Sequence, residues 1–97
     1  IIATAKAAIE GLTVTLAAEF APSIRVNCIA PSLTSSKISQ SMLKSPVVSE
    51  ALAKSHPLKR LGEGKDSAAL AKFLLSENSS WVTGQIIGVD GGRSSLS

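Results

Sequence analysis

Lys6 is the first side chain of this sequence that could do chemistry, and it sits in an alanine-rich stretch with helical spacing. An ammonium there can hydrogen-bond hydroxyls or stabilise a nearby anion. Downstream, Pro31 is followed by Ser32, Thr34, Ser35 and Ser36. Hydroxyls both donate and accept, so this run can hold a polar ligand. The same residues equally suit a polar loop that satisfies its own backbone. His56, set before Pro57, is the sole histidine and reads as a lone surface residue. Asp90 with Gly91 and Gly92 offers one carboxylate, too few for a metal site, and no metal is expected. The two glycines instead suit a tight turn with positive φ. Asn27 reads as a residue that satisfies backbone groups in a strand. The single cysteine, Cys28, forms no intrachain disulfide and reads as a small hydrophobe.

These groups need elements to place them. From Ala3 to Phe20, Ala5, Ile9, Leu12, Leu16 and Phe20 recur at intervals of three and four, which predicts one buried helical face carrying Lys6 inward. Pro22 ends that helix, because the residue before a proline is pushed out of the α region. Ile24 to Ala30 is short, rich in β-branched residues and bounded by prolines, which predicts a strand buried on both faces. In open α/β sheets, ligands sit outside the carboxyl ends of strands, so the loop Pro31 to Ser36 is the expected ligand-contacting segment.

Ser45 and Pro46 read as a cap and first position of a helix that runs to Ser55. A short helix over Lys37 to Leu43 is a further expectation. Gly62 and Gly64 mark a turn, and a helix starts near Asp66 with Leu70, Phe73 and Leu74 on its apolar side. Asn78 to Ser80 breaks it, Gln85 to Val89 is a second strand, and the tail Arg93 to Ser97 carries little signal.

Helix, strand, helix, helix, strand is the order of an α/β sheet. Two strands make no stable open sheet alone, and a doubly wound nucleotide-binding fold takes two βαβαβ halves. The 97 residues therefore read as the carboxy-terminal portion of one such domain, with two strands and three to four helices. Their start at Ile1, without methionine or cap, reads as a fragment.

Composition narrows the partners. The net charge is +3, and the ten basic residues are scattered, with Lys59 and Arg60 the one adjacent pair. Nucleic-acid binding calls for a basic face, so it is not expected. No apolar run has the length of a membrane helix, and no leader is recognisable. Aromatics make up 3%, without any tyrosine, so ring anchors are limited to Phe20, Phe73 and Trp81.

Several motifs in order resemble the short-chain dehydrogenase/reductases. Lys6 stands where the lysine of that family's Tyr-x-x-x-Lys motif belongs, followed by the typical run Ala7 to Leu12. Arg25, Val26 and Asn27 through Pro31 match its strand and Pro-Gly loop, with Ser32 in place of glycine. The segments His56 to Gly62, Trp81 to Gln85 and Val89 to Gly92 complete the match, which covers about residues 2 to 92.

The resemblance implies a Rossmann-like fold and an oxidoreductase that moves hydride between NAD or NADP and a small alcohol or carbonyl compound. It makes Lys6 catalytic and cofactor-binding, through the nicotinamide ribose. It makes Pro31, Ser32, Thr34 and Ser36 cofactor-binding, with the Thr34 backbone and the Ser36 hydroxyl at the nicotinamide carboxamide. It further implies a cytoplasmic homo-oligomer, a dimer or tetramer.

One position departs from the pattern. The motif tyrosine, four residues before Lys6, is Ile2, which has no proton to give. Thr4 lies nearly opposite Lys6 on a helix. Three readings stand: another acid or water replaces the tyrosine; the chain resembles divergent enoyl-acyl-carrier-protein reductases, whose tyrosine lies seven residues before the lysine; or the protein is a catalytically degenerate binding or oligomerisation member. No glycine-rich phosphate loop occurs, so these residues alone are expected to be inactive.

Overall fold

Alanines at 3, 5, 7, 8, 17 and 18 give the first helix its propensity. In the computed structural model, which describes residues 1–35, 40 and 43–96, it runs Ile2–Phe20 (α1). Ala21 is extended, as a residue before proline must be, and donates a last bond to the Ala17 carbonyl. The chain folds as two compact units, Ile1–Ile29 with Leu70–Ile87, and Ala30–Ala69 with Gly88–Ser97.

In the first unit, α1 does not bury its expected stripe. Thr13 and Ala17 are buried, whereas Ile9, Leu12 and Phe20 are 55%, 56% and 42% exposed. Small residues win the contact because the backbone comes close. A Cβ placed on Gly84, which has φ +71°, would lie 3.5 Å from the Ala17 Cβ. Only small side chains allow such an approach.

The following strand is shorter than its sequence suggests. Cys28–Pro31 (β1) is strand, while Ile24 to Asn27 is not. Side chains take the ladder's place there: Val26 donates its N–H to Thr83 Oγ1, and Gln85 donates to Asn27 Oδ1. Asn27 Nδ2 donates in turn to the Val82 carbonyl at 3.0 Å. The Arg25 guanidinium donates to the Leu74, Ser76 and Val82 carbonyls and to Ser79 Oγ, over 2.9–3.2 Å. Ser79, in a single 3₁₀ turn (Glu77–Ser79), is 1% exposed.

Ile86–Val89 (β4) pairs with β1. Bonds from Gly84 N to Val26 O, Cys28 N to Gln85 O and Ser32 N to Val89 O climb both segments together, which makes them parallel. Most residues of these strands are half-buried rather than fully covered, and among the described residues each strand has one neighbour.

In the second unit, Thr34–Ser35 (β2) pairs in parallel with Gly62–Glu63 (β3), in the register Thr34 to Gly62 and Ser35 to Glu63. Gly62 is thus strand rather than plain turn. A Cβ on it would stand 3.2 Å from Thr34 Oγ1. Pro46–Lys54 (α2) is capped by Ser45, whose hydroxyl accepts from Val48 N. The next helix begins at Gly64, two residues before Asp66, and runs to Leu74 (α3). It starts early because Asp66 Oδ2 reaches back to accept from Glu63 N at 2.8 Å, half of a capping box.

The last strand is β4, and Gly91 and Gly92 follow it with φ +59° and +88°. Asp90 Oδ1 accepts from Gly92 N at 2.9 Å, and Oδ2 accepts from the Ser94 N–H and hydroxyl. Those bonds start a short helix, Arg93–Leu96 (α4), in the tail that carries little sequence signal. The expected helix over Lys37 to Leu43 lies largely outside the described residues.

These elements are α/β with parallel strands, as expected. Their core is thin: among the described residues only Thr13, Ala17, His56 and Ser79 are buried. The accessible surface is 7090 Å² for 10.0 kDa, against about 5200 Å² for a folded monomer of that mass.

Candidate functional site

β1 delivers Pro31 and Ser32 to the loop at its carboxyl end. Pro31 is exposed, and Ser32 and Thr34 are half-buried. Ser32 N donates to the Val89 carbonyl, and Thr34 Oγ1 donates to the Ser32 carbonyl at 3.0 Å. Gly62 N donates to the Leu33 carbonyl. Backbone and side-chain bonds therefore hold this loop from two directions.

A third tie comes from His56. It is 1% exposed, which overturns the expectation of a surface histidine. In the last turn of α2 the Leu52 carbonyl accepts from Ser55 N and Oγ, and His56 Nδ1 lies 2.7 Å from the same oxygen and 3.4 Å from Ser55 Oγ. A carbonyl only accepts, so Nδ1 carries the proton. With Nδ1 protonated, the neutral imidazole has its lone pair at Nε2 and accepts there from Ser32 Oγ, 2.9 Å away. Gly91 closes over the ring: a Cβ on it would be 3.5 Å from the His56 Cβ. Gly92 packs likewise against Pro57, and Leu58 N donates to the Gly91 carbonyl.

Beside this arrangement is a cavity of about 310 Å³ whose lining includes Ser32, Thr34, His56, Arg60, Asp66 and Asp90. Two of its charges are spent on one another. Arg60 donates to both Asp66 carboxylate oxygens, at 2.9 and 3.0 Å. That bond, with the Glu63 backbone N–H, lowers the Asp66 carboxyl to about 2. The Ser94 hydroxyl and the Gly92 N–H likewise lower Asp90. The Ser32 and Thr34 hydroxyls and the peptide groups of the loop are the neutral part of this lining, and the carboxylates of Asp90 and Glu63 are its remaining charged part. Among the described residues, no group of three or more His, Cys, Asp or Glu could hold a metal ion.

Lys6 belongs to the first unit, on α1, and is exposed. It stands seven residues before Thr13 and eleven before Ala17, which places it on the helical face those two bury. Ile2, one turn earlier on that face, is 75% exposed. Pro31, Ser32 and Thr34 come together in the second unit. Ser36 lies outside the described residues. Asn27 spends its amide on backbone groups, as expected, from a place just before β1 rather than within a strand. The residue that sequence reasoning missed is His56. Ser32 standing where the resemblance calls for glycine was the available signal, since a new hydroxyl needs a partner.

Residues 1–94 match the family described as Enoyl-(Acyl carrier protein) reductase. The chain is 42% identical over 91 residues to human "Dehydrogenase/reductase SDR family member 4", covering 93% of this chain and 33% of that protein. The short-chain type dehydrogenase/reductase from Mycobacterium ulcerans has a TM-score of 0.84 at 42% identity, over 91% of this chain and 32% of the other. A gluconate 5-dehydrogenase from Burkholderia cenocepacia J2315, in complex with NADP and tartrate, has a TM-score of 0.87 at 32% identity, over 96% and 37% of the two chains. The chain spans about a third of the length of these relatives. Among the described residues, no helix is long and apolar enough to cross a membrane.

Proposed function

The chain belongs to the short-chain dehydrogenase/reductase family, and from that membership we propose that it is the carboxy-terminal part of an NAD(P)-dependent oxidoreductase acting on a small alcohol or carbonyl compound. The observation that carries this reading is the ordered, neutral loop Pro31 to Thr34 at the carboxyl end of a parallel strand. Ligands of α/β sheets bind at such ends. A nicotinamide carboxamide is itself neutral, with one carbonyl and one amide group, and fits hydroxyls and peptide groups whose neighbouring cation, Arg60, is already paired.

Pro31, Ser32, Thr34 and Ser36 would hold that end of NAD or NADP, and Lys6 would hold the ribose hydroxyls from the Thr13–Ala17 face of α1. When bound, the dinucleotide supplies or takes up the hydride. Lys6 contributes a fixed positive charge that favours a nearby anionic oxygen. The solved relative in complex with NADP supports a nicotinamide cofactor.

The rest of the sheet, with its phosphate loop, is supplied from outside these 97 residues. The exposed Ile2, Ile9, Leu12 and Phe20 of α1, and Trp81 at 99% exposure, support cover by that half of the domain and by a second copy in a homo-oligomer. The free thiol of Cys28 suits a cytoplasmic setting. No nucleic-acid or membrane partner is proposed. Ile2 favours a second reading, in which the protein keeps cofactor affinity or assembly but has lost turnover.

Titration of the full-length protein with NADPH and NADH by fluorescence, followed by a carbonyl panel, separates the two. Binding with turnover supports the enzyme, and binding without turnover supports the degenerate member. The isolated 97 residues should do neither; micromolar affinity or turnover from them alone would refute that part.

A further inference from the structure

We propose that His56 is a positioning residue for the dinucleotide site, acting through Ser32. This deepens the reading of the Pro31–Thr34 loop as the nicotinamide-side contact and rests on it. The geometry is directional at each step. The Leu52 carbonyl fixes the proton on Nδ1, 2.7 Å away. In the neutral imidazole Nε2 then accepts, and the Ser32 hydroxyl points its proton inward, over 2.9 Å.

Two consequences follow for the loop. Ser32 Oγ keeps its lone pairs for the cavity side, where it presents an acceptor and no donor. In addition, Ser32 is held from both ends, by Val89 through its backbone N–H and by His56 through its side chain. Thr34 Oγ1 hangs on the Ser32 carbonyl, so the order imposed on Ser32 passes to Thr34. A bare glycine at position 32 would break this chain of bonds and leave Nε2 of a 1% exposed ring unpaired.

The arrangement also explains the surroundings of the ring. Gly91 takes a positive φ that favours glycine and brings the turn into van der Waals reach of His56. The Gly91 carbonyl then accepts from Leu58 N, which closes the segment after His56 onto the turn after β4. The ring is thus anchored before it meets Ser32, as a positioning group must be.

The test uses the full-length protein and the variants S32A, S32G, H56F, H56Q and the double variant S32A/H56F. Amide hydrogen exchange at residues 32–34 is measured without nucleotide, and the Kd for NADPH and NADH is measured by fluorescence titration. S32A and H56F should each speed exchange at these amides and raise Kd roughly five- to tenfold, the value of one hydrogen bond. The double variant should be no worse than either single one, because one link is removed in all three. H56Q, whose amide can still meet a hydroxyl, should recover part of the affinity.

Wild-type exchange and Kd in S32A, in a protein that binds NADPH, would overturn the role of the link and leave the site reading intact. Additive losses in S32A/H56F would overturn action through Ser32. Absence of nucleotide binding by the wild-type protein itself would overturn the site reading and this inference with it. Should H56F not fold, S32A and S32G still decide, since Ser32 is half-exposed and its removal leaves no large void.

Discussion

Arg60 and Asp66 meet in a two-pronged ion pair, both guanidinium-to-carboxylate distances falling at 2.9–3.0 Å across only six residues of chain. The same carboxylate also accepts from Glu63 N, so one side chain both pairs Arg60 and caps α3. Exposed ion pairs usually contribute little. Here the cap makes the geometry specific, and it binds β3 to the helix that follows.

A pH dependence follows from that carboxylate. Asp66 is lowered from 3.8 to about 2. A group lowered in the folded state adds stability above its unfolded value, and that stability is lost as pH falls through the folded one. Asp66 should therefore stabilise fully above about pH 4 and progressively less towards pH 2. D66N should lower the melting temperature of the full-length protein by a few degrees at pH 7, and the gap from wild type should close by pH 2. Circular-dichroism melts at both pH values check this, and an equal gap at pH 2 would refute it.

Arg25 is the second structural prediction. Its guanidinium gathers three carbonyls and the Ser79 hydroxyl, including Leu74 at the carboxyl end of α3. Lysine brings the charge but not the planar fork. R25K should cost about 2–3 kcal/mol and R25A about 3–4 kcal/mol, because the buried Ser79 and its carbonyl neighbours lose a charged donor. Urea unfolding of the full-length protein measures both; losses under about 0.5 kcal/mol in each would show that water replaces the guanidinium.

The sequence made the order of elements legible because periodicity, prolines and glycines act locally. Pro22, Ser45 with Pro46, and the Gly91–Gly92 turn all behave as their local chemistry requires. What it hid depends on residues far apart in the chain. Thr13 and Ala17, not Ile9 and Leu12, face the first unit because Gly84 lets backbones approach there. Ile24 to Asn27 is not strand because Thr83 and Asn27 side chains take the ladder bonds. His56 looked solitary because its partner, Ser32, is 24 residues away and its anchor is a carbonyl, which every residue has. On the candidate site, Pro31, Ser32 and Thr34 do come together, while Lys6 belongs to the other unit.

Ile2 tests the catalytic proposal most directly. It stands one helical turn before Lys6, on the same face, and is 75% exposed, so a larger ring meets no wall of this chain. A phenol near 10 is a weak acid-base catalyst at neutral pH until a cation favours its phenolate. Lys6 is the cation in reach along the helix. In the full-length protein, I2Y should therefore raise carbonyl reduction by about 10²-fold, the lower end of what a placed proton donor contributes. K6M in that background should remove the gain and weaken NADPH binding as well. NADPH oxidation followed by absorbance reads the first effect, and fluorescence titration reads the second. If I2Y leaves turnover unchanged while NADPH still binds, a proton source other than this helix serves the site, or the site serves binding alone. If instead I2Y gains activity that K6M does not touch, Lys6 has no part in activating the phenol, and its place at the ribose would have to be given up.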